Sequence, residues 1–297
     1  MDGFLLLDKP KGLSSGQCVS HIKKTLNLKK VGHCGTLDPL ATGILPICIG
    51  EATKFSSYVS NESKEYKVNI LFGVRTNTGD ITGETLITKE INFNKKELMQ
   101  AIDSLEGDQE QIPPMYSALK VKGKPLYSWV RRGIFLKREA RKINIQRIKI
   151  KSIKSRERVD LEILCSKGTY IRTLVEAIGR KLGTEATVLG LRRTRIGLLN
   201  ENNLIKLDCI NNETFASNFI ECDTVLKTLP RLSLGRSETK KIINGQQVDY
   251  NAREEKEGIV RLYEKEGSFI GIGSIDSSMK VSPKRLLNTK NILLRLQ

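Results

Sequence analysis

Alternating apolar and polar residues predict β-strands across the first two thirds of the chain. Side chains two residues apart share one face of a strand, so such alternation indicates a strand with one buried face. The apolar sets are Tyr66/Val68/Ile70/Phe72, Val159/Leu161/Ile163/Cys165, and Ile143/Ile145 followed by Ile148/Ile150. The phase of the last set slips once, which predicts a β-bulge in that strand.

Apolar residues spaced three or four apart predict helices between these strands. The sets are Cys18/Val19/Ile22/Leu26, Leu98/Ile102/Leu105 and Ile171/Leu174/Val175/Ile178/Leu182. Ser14 or Ser15 caps the first helix, and Asn94 with Glu97 forms a capping box on the second, which we expect to continue to Gly107. Gly183 ends the third helix. Arg172 falls in its first turn, off the apolar stripe, as a surface arginine would.

A separate unit is predicted after a weakly patterned stretch at residues 208–228. From residue 229 onwards, short apolar runs alternate with glycines and charged turns, a pattern typical of a small β-barrel. The sequence therefore predicts an α+β protein with two domains. A mixed-sheet domain covers residues 1–228, and a small C-terminal β-barrel covers residues 229–297.

Positive charge is concentrated in one part of the chain, residues 112–158, called here the basic segment. The 297-residue chain has a formal net charge of +17. Between Lys120 and Arg158, fifteen Lys or Arg residues stand against two Glu residues. A solvated face would explain one lysine-rich run, but this concentration favours contact with the phosphates of a nucleic acid. The paired prolines at 113 and 114 exclude a regular helix or central strand where the segment begins.

The remaining composition excludes several classes of protein. Six scattered cysteines without a Cys-X-X-Cys pair predict reduced thiols, and two histidines are too few for a His-rich metal centre. No apolar run approaches the length of a membrane span, and the acidic start does not resemble a signal peptide. We therefore expect a cytoplasmic protein that makes no membrane contact.

One carboxylate, Asp38, stands in a stretch of glycines, small residues and prolines that reads GHCGTLDPLATGILP at residues 32–46. Pro39 fixes its own φ and biases Asp38 towards an extended backbone, which aims its side chain. No second acid, zinc-binding cluster or phosphate-binding Gly-Lys-Ser/Thr lies nearby. Taken alone, an aspartate in such a turn is more often a turn former that bonds its own backbone.

The same stretch, followed by GEATK at residues 50–54, closely resembles the active-site motif of the TruB family, the stand-alone tRNA pseudouridine-55 synthases. Cys34 stands where threonine is more usual in that family. Further matching elements occur in the family's order, and they cover essentially the whole chain. They are KPKG at 9–12, RTNTGDITG at 75–83, IPPMYSALK at 112–120, KGTYIRT at 167–173 and LRRTR at 191–195. The C-terminal unit resembles a PUA-type RNA-binding domain.

The resemblance implies an isomerase that converts a uridine of the tRNA T-loop, position 55, into pseudouridine. The N1–C1′ bond of the uridine breaks and C5 joins C1′, so no redox step or group donor is involved. The resemblance implies no cofactor, no metal, no guide RNA and no protein partner, and we expect a monomer. The target base would leave the loop stack to be reached, as in other base-modifying enzymes.

The family motif assigns roles to individual residues. Asp38 would be the nucleophile, attacking either the base or the sugar, Tyr66 would pack on the base as a candidate general base, and Arg172 would pair with Asp38. The implied substrate-binding residues are His33, which would fill the space vacated by the base, and Tyr170, Leu191, Asp80 and Lys9. Within the basic segment we expect RNA contacts from Lys120, Lys122, Arg131, Arg132, Arg141 and Lys142.

Two other functions compete with this interpretation. A non-catalytic RNA binder or folding helper would account equally well for the charge and the C-terminal unit, but it has no need of Asp38, Tyr66 and Arg172 together. A methyltransferase or similar base-modifying enzyme is disfavoured, because the chain lacks a glycine-rich strand-to-helix nucleotide fingerprint.

Overall fold

A computed structural model describes residues 1–250 and 257–288. The predicted C-terminal domain, 229–297, thus includes residues 251–256 and 289–297, which lie outside the described residues. The elements of the first part of the chain are β1 (Gly3–Lys9), α1 (Ser15–Thr25), β2 (Val31–His33), β3 (Thr42–Ile49), a 3-10 helix (Gly50–Phe55), α2 (Ser56–Ser60), β4 (Lys64–Phe72), β5 (Val74–Thr76), β6 (Thr85–Thr88), α3 (Lys95–Asp103) and β7 (Gly107–Gln111).

The later elements include the long strands of the main sheet and the C-terminal unit. They are β8 (Lys120–Val121), β9 (Lys124–Pro125), α4 (Leu126–Val130), β10 (Arg141–Ile153), β11 (Arg158–Cys165), α5 (Ile171–Lys181), β12 (Ala186–Ile196), β13 (Leu199–Asn200), β14 (Ile205–Lys206), a 3-10 helix (Leu207–Cys209), α6 (Asn212–Ser217), β15 (Ile220–Glu221), α7 (Cys222–Val225), β16 (Arg231–Leu234), α8 (Arg236–Ile243), β17 (Val248–Asp249), β18 (Gly258–Glu264), β19 (Phe269–Ile275) and β20 (Lys280–Leu286).

A mixed sheet forms the body of the protein, with the strand order β14-β1-β3-β12-β4-β11-β10-β7. The pairs β1–β14 and β12–β3 are parallel, and the other neighbours along this order are antiparallel. Apolar residues of α1, α3 and α5 pack with these strands in one core. The predicted alternation in β4 and β11 is confirmed, and the register of β10 shifts between Ile145 and Arg147, as its slipped phase predicts.

The helices α1 and α3 begin at the cap residues that the sequence predicts. Ser14 is the N-cap of α1, and Asn94 caps α3, each through a complete capping box. The predicted end of α3 is wrong, because the helix stops at Asp103. Gly107 has a φ of +87°, which favours glycine, and it begins β7.

The C-terminal unit is a curled five-stranded sheet, a half-barrel, with the order β16-β18-β19-β20-β17. It packs against the face of the main sheet that carries Phe4 and Leu6, through a second core shared with Ile272. The rings of Phe55 and Phe269 lie 5.9 Å apart across this contact. Because Phe55 belongs to the 3-10 helix that follows β3, the unit buttresses the strand that leaves the Asp38 motif.

Candidate active site

The Asp38 motif is a loop between β2 and β3, and buried polar contacts hold it in place. The Ser15 hydroxyl group donates to the carbonyl oxygen of Leu37 at 3.1 Å and accepts from its amide at 2.9 Å. The buried ammonium group of Lys9 donates to the carbonyl oxygen of Ala41 at 2.7 Å and to that of Pro39 at 3.4 Å. Lys9 therefore lies behind the loop, and its predicted contact with substrate stays a prediction.

Arg172 meets Asp38 at the cavity. Its Nε atom lies 2.9 Å from Oδ2 of Asp38, and its terminal nitrogens donate to the carbonyl oxygens of Thr78 at 2.6 Å and Tyr116 at 2.7 Å. The expectation of a surface arginine from the helical pattern is wrong, because only 5% of this side chain is exposed. The side chain of Asp38 is 34% exposed, so a ligand can reach it.

Burial and neighbouring charges set the acidity of Asp38. Desolvation raises the pKa of this carboxyl group above its ordinary value, and the nearby charge of Asp80 adds to the rise. Arg172 acts in the opposite direction, because its guanidinium group favours the ionised carboxylate and lowers the pKa. Arg172 therefore partly offsets the effect of burial on Asp38.

Five of the predicted residues line one cavity of about 320 Å³. They are Asp38, Tyr66, Tyr170, Arg172 and Leu191. The volume lies within the range of small-molecule pockets, about 300–1,000 Å³. Gln111 fixes Tyr170 at the start of α5, because its side chain accepts from the Tyr170 amide at 2.8 Å and donates to the Tyr170 carbonyl oxygen at 3.1 Å.

Asp38 also lines a second cavity of about 560 Å³, which includes Asp80 and Arg131. Asp80 is 5% exposed, and its Oδ1 atom accepts from the backbone amide of Thr82 at 3.0 Å. Its predicted contact with RNA remains a prediction. His33 lies on β2, outside the lining of both cavities. Burial and the charge of Arg193 lower its pKa, so its imidazole is neutral near pH 7.

Two cations of the cavity wall, Lys64 and Arg193, were missed by the sequence analysis. Arg193 is the direct cross-strand partner of Tyr66 in the β4–β12 ladder, and both residues line the cavity. Lys64 precedes Tyr66 by two residues, and burial with the charge of Arg193 lowers its pKa to about 8. Strand alternation carries the missing signal, because each residue stands two positions from a predicted site residue, Tyr66 or Leu191.

The first part of the basic segment, residues 112–140, forms an excursion between β7 and β10, and the rest includes β10 itself. The excursion has a small apolar core of its own, built on Met115, Leu126 and Val130. The predicted RNA-contacting residues of the basic segment are exposed: Lys120, Lys122, Arg131, Arg132, Arg141 and Lys142. Arg131 stacks over the ring of Tyr127, 5.4 Å from its centroid, and reaches the second cavity. The excursion is tied to the site through the carbonyl oxygen of Tyr116, which accepts from Arg172.

Some kinds of site are absent from the described part of the chain. Within residues 1–250 and 257–288, no three His, Cys, Asp or Glu side chains are grouped so that they could hold a metal ion. The six cysteines are free thiols, and five of them are buried. A search of the same residues finds no helix with the length and apolar character needed to cross a membrane.

Family profiles match three consecutive parts of the chain. The TruB family pseudouridylate synthase N-terminal domain matches residues 23–171. The C-terminal domain of tRNA pseudouridylate synthase B matches residues 172–229, and the C-terminal domain of pseudouridine synthase II TruB matches residues 230–287. Together these matches cover most of the chain.

Curated relatives and solved structures agree with the profiles. The chain is 40% identical to tRNA pseudouridine synthase B of Chromobacterium violaceum, over 97% of this chain and 95% of that protein. It is 41% identical to the Buchnera aphidicola enzyme of the same name, over 97% and 96%. A crystal structure of a Cbf5-Nop10-Gar1 complex matches with a TM-score of 0.73 and 26% identity, over 96% of this chain and 84% of the matched chain. The protein therefore belongs to the TruB family of pseudouridylate synthases and is an isomerase.

Proposed function

We propose that this protein isomerises uridine 55 in the T-loop of tRNA to pseudouridine, with Asp38 as the nucleophile. The observation that carries the proposal is the ion pair between Asp38 and Arg172 at the mouth of a cavity lined by Tyr66, Tyr170 and Leu191. The relatives that span nearly the whole chain carry the name tRNA pseudouridine synthase B, which supports tRNA as the substrate.

The chemistry requires a group that stabilises or attacks the sugar–base junction. The N1–C1′ bond breaks, the uracil turns and C5 bonds to C1′, so C5 loses a proton and N1 gains one. The atoms and electrons balance within the substrate, so the reaction needs no cofactor. An ionised carboxylate forms covalent intermediates readily, and the attack of Asp38 at C1′ or at the base satisfies the same balance.

Access to the cavity requires the target base to be flipped out of the T-loop, at a cost of a few kcal/mol. Tyr66 and Leu191 offer the uracil an aromatic and an aliphatic wall. The RNA backbone around the flipped uracil would be held by six exposed cations: Lys120, Lys122, Arg131, Arg132, Arg141 and Lys142. Asp80 supports the site at the second cavity, and Lys9 supports it beneath the Asp38 loop. His33 would take the space that the base leaves in the T-loop. The enzyme acts alone, as a cytoplasmic monomer.

The test uses an unmodified tRNA transcript and the purified protein without added cofactor. Pseudouridine formation is followed by mass spectrometry for the wild type and Asp38→Asn, with Asp103→Asn at the exposed end of α3 as the matched control. We expect product at position 55 from the wild type and the control, and none from Asp38→Asn. Activity that survives in Asp38→Asn contradicts the nucleophile assignment. A wild type that binds the transcript without making product favours the non-catalytic tRNA binder.

A further inference from the structure

Arg193 is a deeply buried cation that differs from Arg172 in its partners. Its side chain is 1% exposed. The Nε atom donates to the carbonyl oxygen of Ile44 at 2.9 Å, and Nη2 donates to that of Gly35 at 3.0 Å. Among the ion pairs of the described residues, Arg172 has Asp38, whereas none involves Arg193. Burying a guanidinium group without a carboxylate is costly, so this position calls for a functional explanation.

Arg193 is also a neighbour of Tyr66. The two residues are direct cross-strand partners in the β4–β12 ladder, and both line the cavity beside Asp38. Directly opposite residues of neighbouring strands carry their side chains on the same face of the sheet, so the guanidinium group and the phenol are neighbours. The two carbonyl oxygens fix the guanidinium group in place, so its positive charge stays beside the phenol.

The proposed reaction needs a group that accepts the proton of C5, and the phenol of Tyr66 is the candidate. A phenol has an ordinary pKa near 10, and burial raises that of Tyr66 further. The charges that face Tyr66 differ in their effect: Asp38 and the thiol of Cys165 raise its pKa, whereas Arg193 lowers it. Arg172 lies across the cavity as the partner of Asp38, and Lys64 lies two residues before Tyr66 on β4.

We propose that Arg193 is a positioning residue that stabilises the phenolate of Tyr66, so that Tyr66 accepts the proton that C5 of uracil loses. The inference rests on the proposed function. The phenolic proton leaves to solvent through the open cavity before RNA covers it. Once the C5–C1′ bond has formed, the C5 proton moves to the phenolate oxygen, and the C–H electron pair restores the C5=C6 double bond. N1 takes its proton from solvent, and Arg193 keeps its own protons throughout.

The test is a double-mutant cycle read as a pH profile. Single-turnover rates are measured from pH 6 to pH 10 for Arg193→Met and Arg193→Lys, each with Tyr66 and with Tyr66→Phe. We expect Arg193→Met to move the rising limb of the rate–pH profile to higher pH. The rate at neutral pH should then fall about tenfold for each pH unit of that movement. Arg193→Lys should recover part of the loss. In the Tyr66→Phe background, Arg193→Met should have no further effect.

A merely structural role for Arg193 gives a different result. If it only anchors the loop through Gly35 and Ile44, Arg193→Met lowers the rate equally at every pH and lowers it again in the Tyr66→Phe background. That outcome overturns the proposal. Arg195→Met, two residues further along β12 and half-exposed, is the matched control, and its pH profile should stay that of the wild type.

A second measurement leaves Arg193 intact in case its variants do not fold. Replacing Tyr66 by 3-fluorotyrosine lowers the phenol pKa with little change of shape, so the rising limb should move to lower pH. An unmoved limb overturns the proposal. Failure here is distinguishable from failure of the proposed function, because the wild type and Asp38→Asn report on that function in the same assay.

Discussion

Arg172 donates through Nε to Oδ2 of Asp38 at 2.9 Å while its terminal nitrogens hold the carbonyl oxygens of Thr78 and Tyr116. One buried side chain on α5 thus joins the Asp38 loop, the turn after β5 and the start of the basic segment. The same guanidinium group that favours the ionised form of Asp38 also fixes the position of the excursion that would meet RNA.

Asp38→Asn should abolish activity while leaving the protein at least as stable as the wild type. The folded-state pKa of Asp38 lies above its ordinary value, so the folded chain binds more protons than the unfolded chain between the two values. The ionised carboxylate therefore costs stability at neutral pH, and the neutral amide removes that cost. Thermal unfolding across a pH series measures the effect.

The sign of this pH dependence can be checked directly. As pH falls through the raised pKa, the wild type gains stability relative to Asp38→Asn, so the advantage of the variant should be largest near pH 7 and shrink in acid. A variant that is less stable than the wild type at neutral pH would show that the ion pair with Arg172 outweighs the burial of Asp38.

Arg172→Gln should raise the pKa of Asp38 further, because it removes the cation that favours the carboxylate. The acid limb of the activity profile, which follows ionisation of Asp38, should move to higher pH. Arg172→Lys keeps the charge and should move the limb less, although it loses hydrogen bonds to Thr78 and Tyr116. Arg180→Gln, in the last turn of the same helix, is the control and should keep the wild-type limb. An unmoved limb in Arg172→Gln would mean that another group sets it.

Lys9→Met should destabilise the Asp38 loop. The ammonium group donates to the carbonyl oxygens of Pro10, Pro39 and Ala41, and methionine leaves these acceptors without their donor. A buried acceptor left unsatisfied costs about 1–3 kcal/mol. Denaturant unfolding measures the loss, and exposed Lys11→Met provides the comparison. If Lys9→Met instead leaves stability unchanged and only raises KM, the predicted direct contact of Lys9 with substrate is favoured.

Removing two charges of the basic segment should weaken tRNA binding without slowing the chemistry. Arg131 and Arg132 are exposed, and removing a cation that neutralises a phosphate should make the dependence of binding on salt shallower by about one unit of log–log slope. We expect the Arg131→Gln/Arg132→Gln double variant to raise Kd and to keep its single-turnover rate at saturation. Lys95→Gln/Lys96→Gln on α3 carries the same charge change and should leave Kd unaltered. Equal effects of the two pairs would point to net charge alone.

The parts of this fold that depend on neighbours in the chain could be predicted from the sequence. Alternation in β4 and β11 and the caps at Ser14 and Asn94 are short-range signals, and they were interpreted correctly. The site could be predicted from the family motif, because the motif identifies residues that are distant in the sequence and close together in the fold. Without it, the helical pattern places Arg172 at the surface.

Arg172 and Arg193 show why the rest could not be predicted. Both residues are charged, and both bind partners that are far away along the chain. Arg172 binds Asp38, Thr78 and Tyr116. Arg193 binds Gly35 and Ile44. Arginines close together in a sequence favour a prediction of solvent exposure, unless the strand that pairs with them is known. Sequence periodicity indicates the face of a helix or strand on which a side chain lies. It does not indicate which other part of the chain packs on that face.

Gly43→Ala should be among the most disruptive small substitutions in the protein. Gly43 has a φ of +95°, and an added Cβ atom would lie 2.2 Å from the carbonyl oxygen of Arg193, with which Gly43 pairs across β3 and β12. A left-handed backbone costs a non-glycine residue about 1–2 kcal/mol. The clash adds an overpacking cost of about 1–3 kcal/mol, because the obstacle is backbone and cannot rotate away.

Gly12→Ala separates these two costs. Gly12 has nearly the same φ, +93°, and nothing within 4 Å of the added Cβ atom, so it carries the backbone cost alone. Denaturant unfolding should show a larger loss for Gly43→Ala than for Gly12→Ala. Because the displaced carbonyl belongs to Arg193, the position of Tyr66 should change with it, and activity should fall more in Gly43→Ala than its stability alone explains. Equal losses of stability in the two variants would mean that β12 yields to the methyl group, and the pairing of Gly43 with Arg193 would then not limit the geometry of the site.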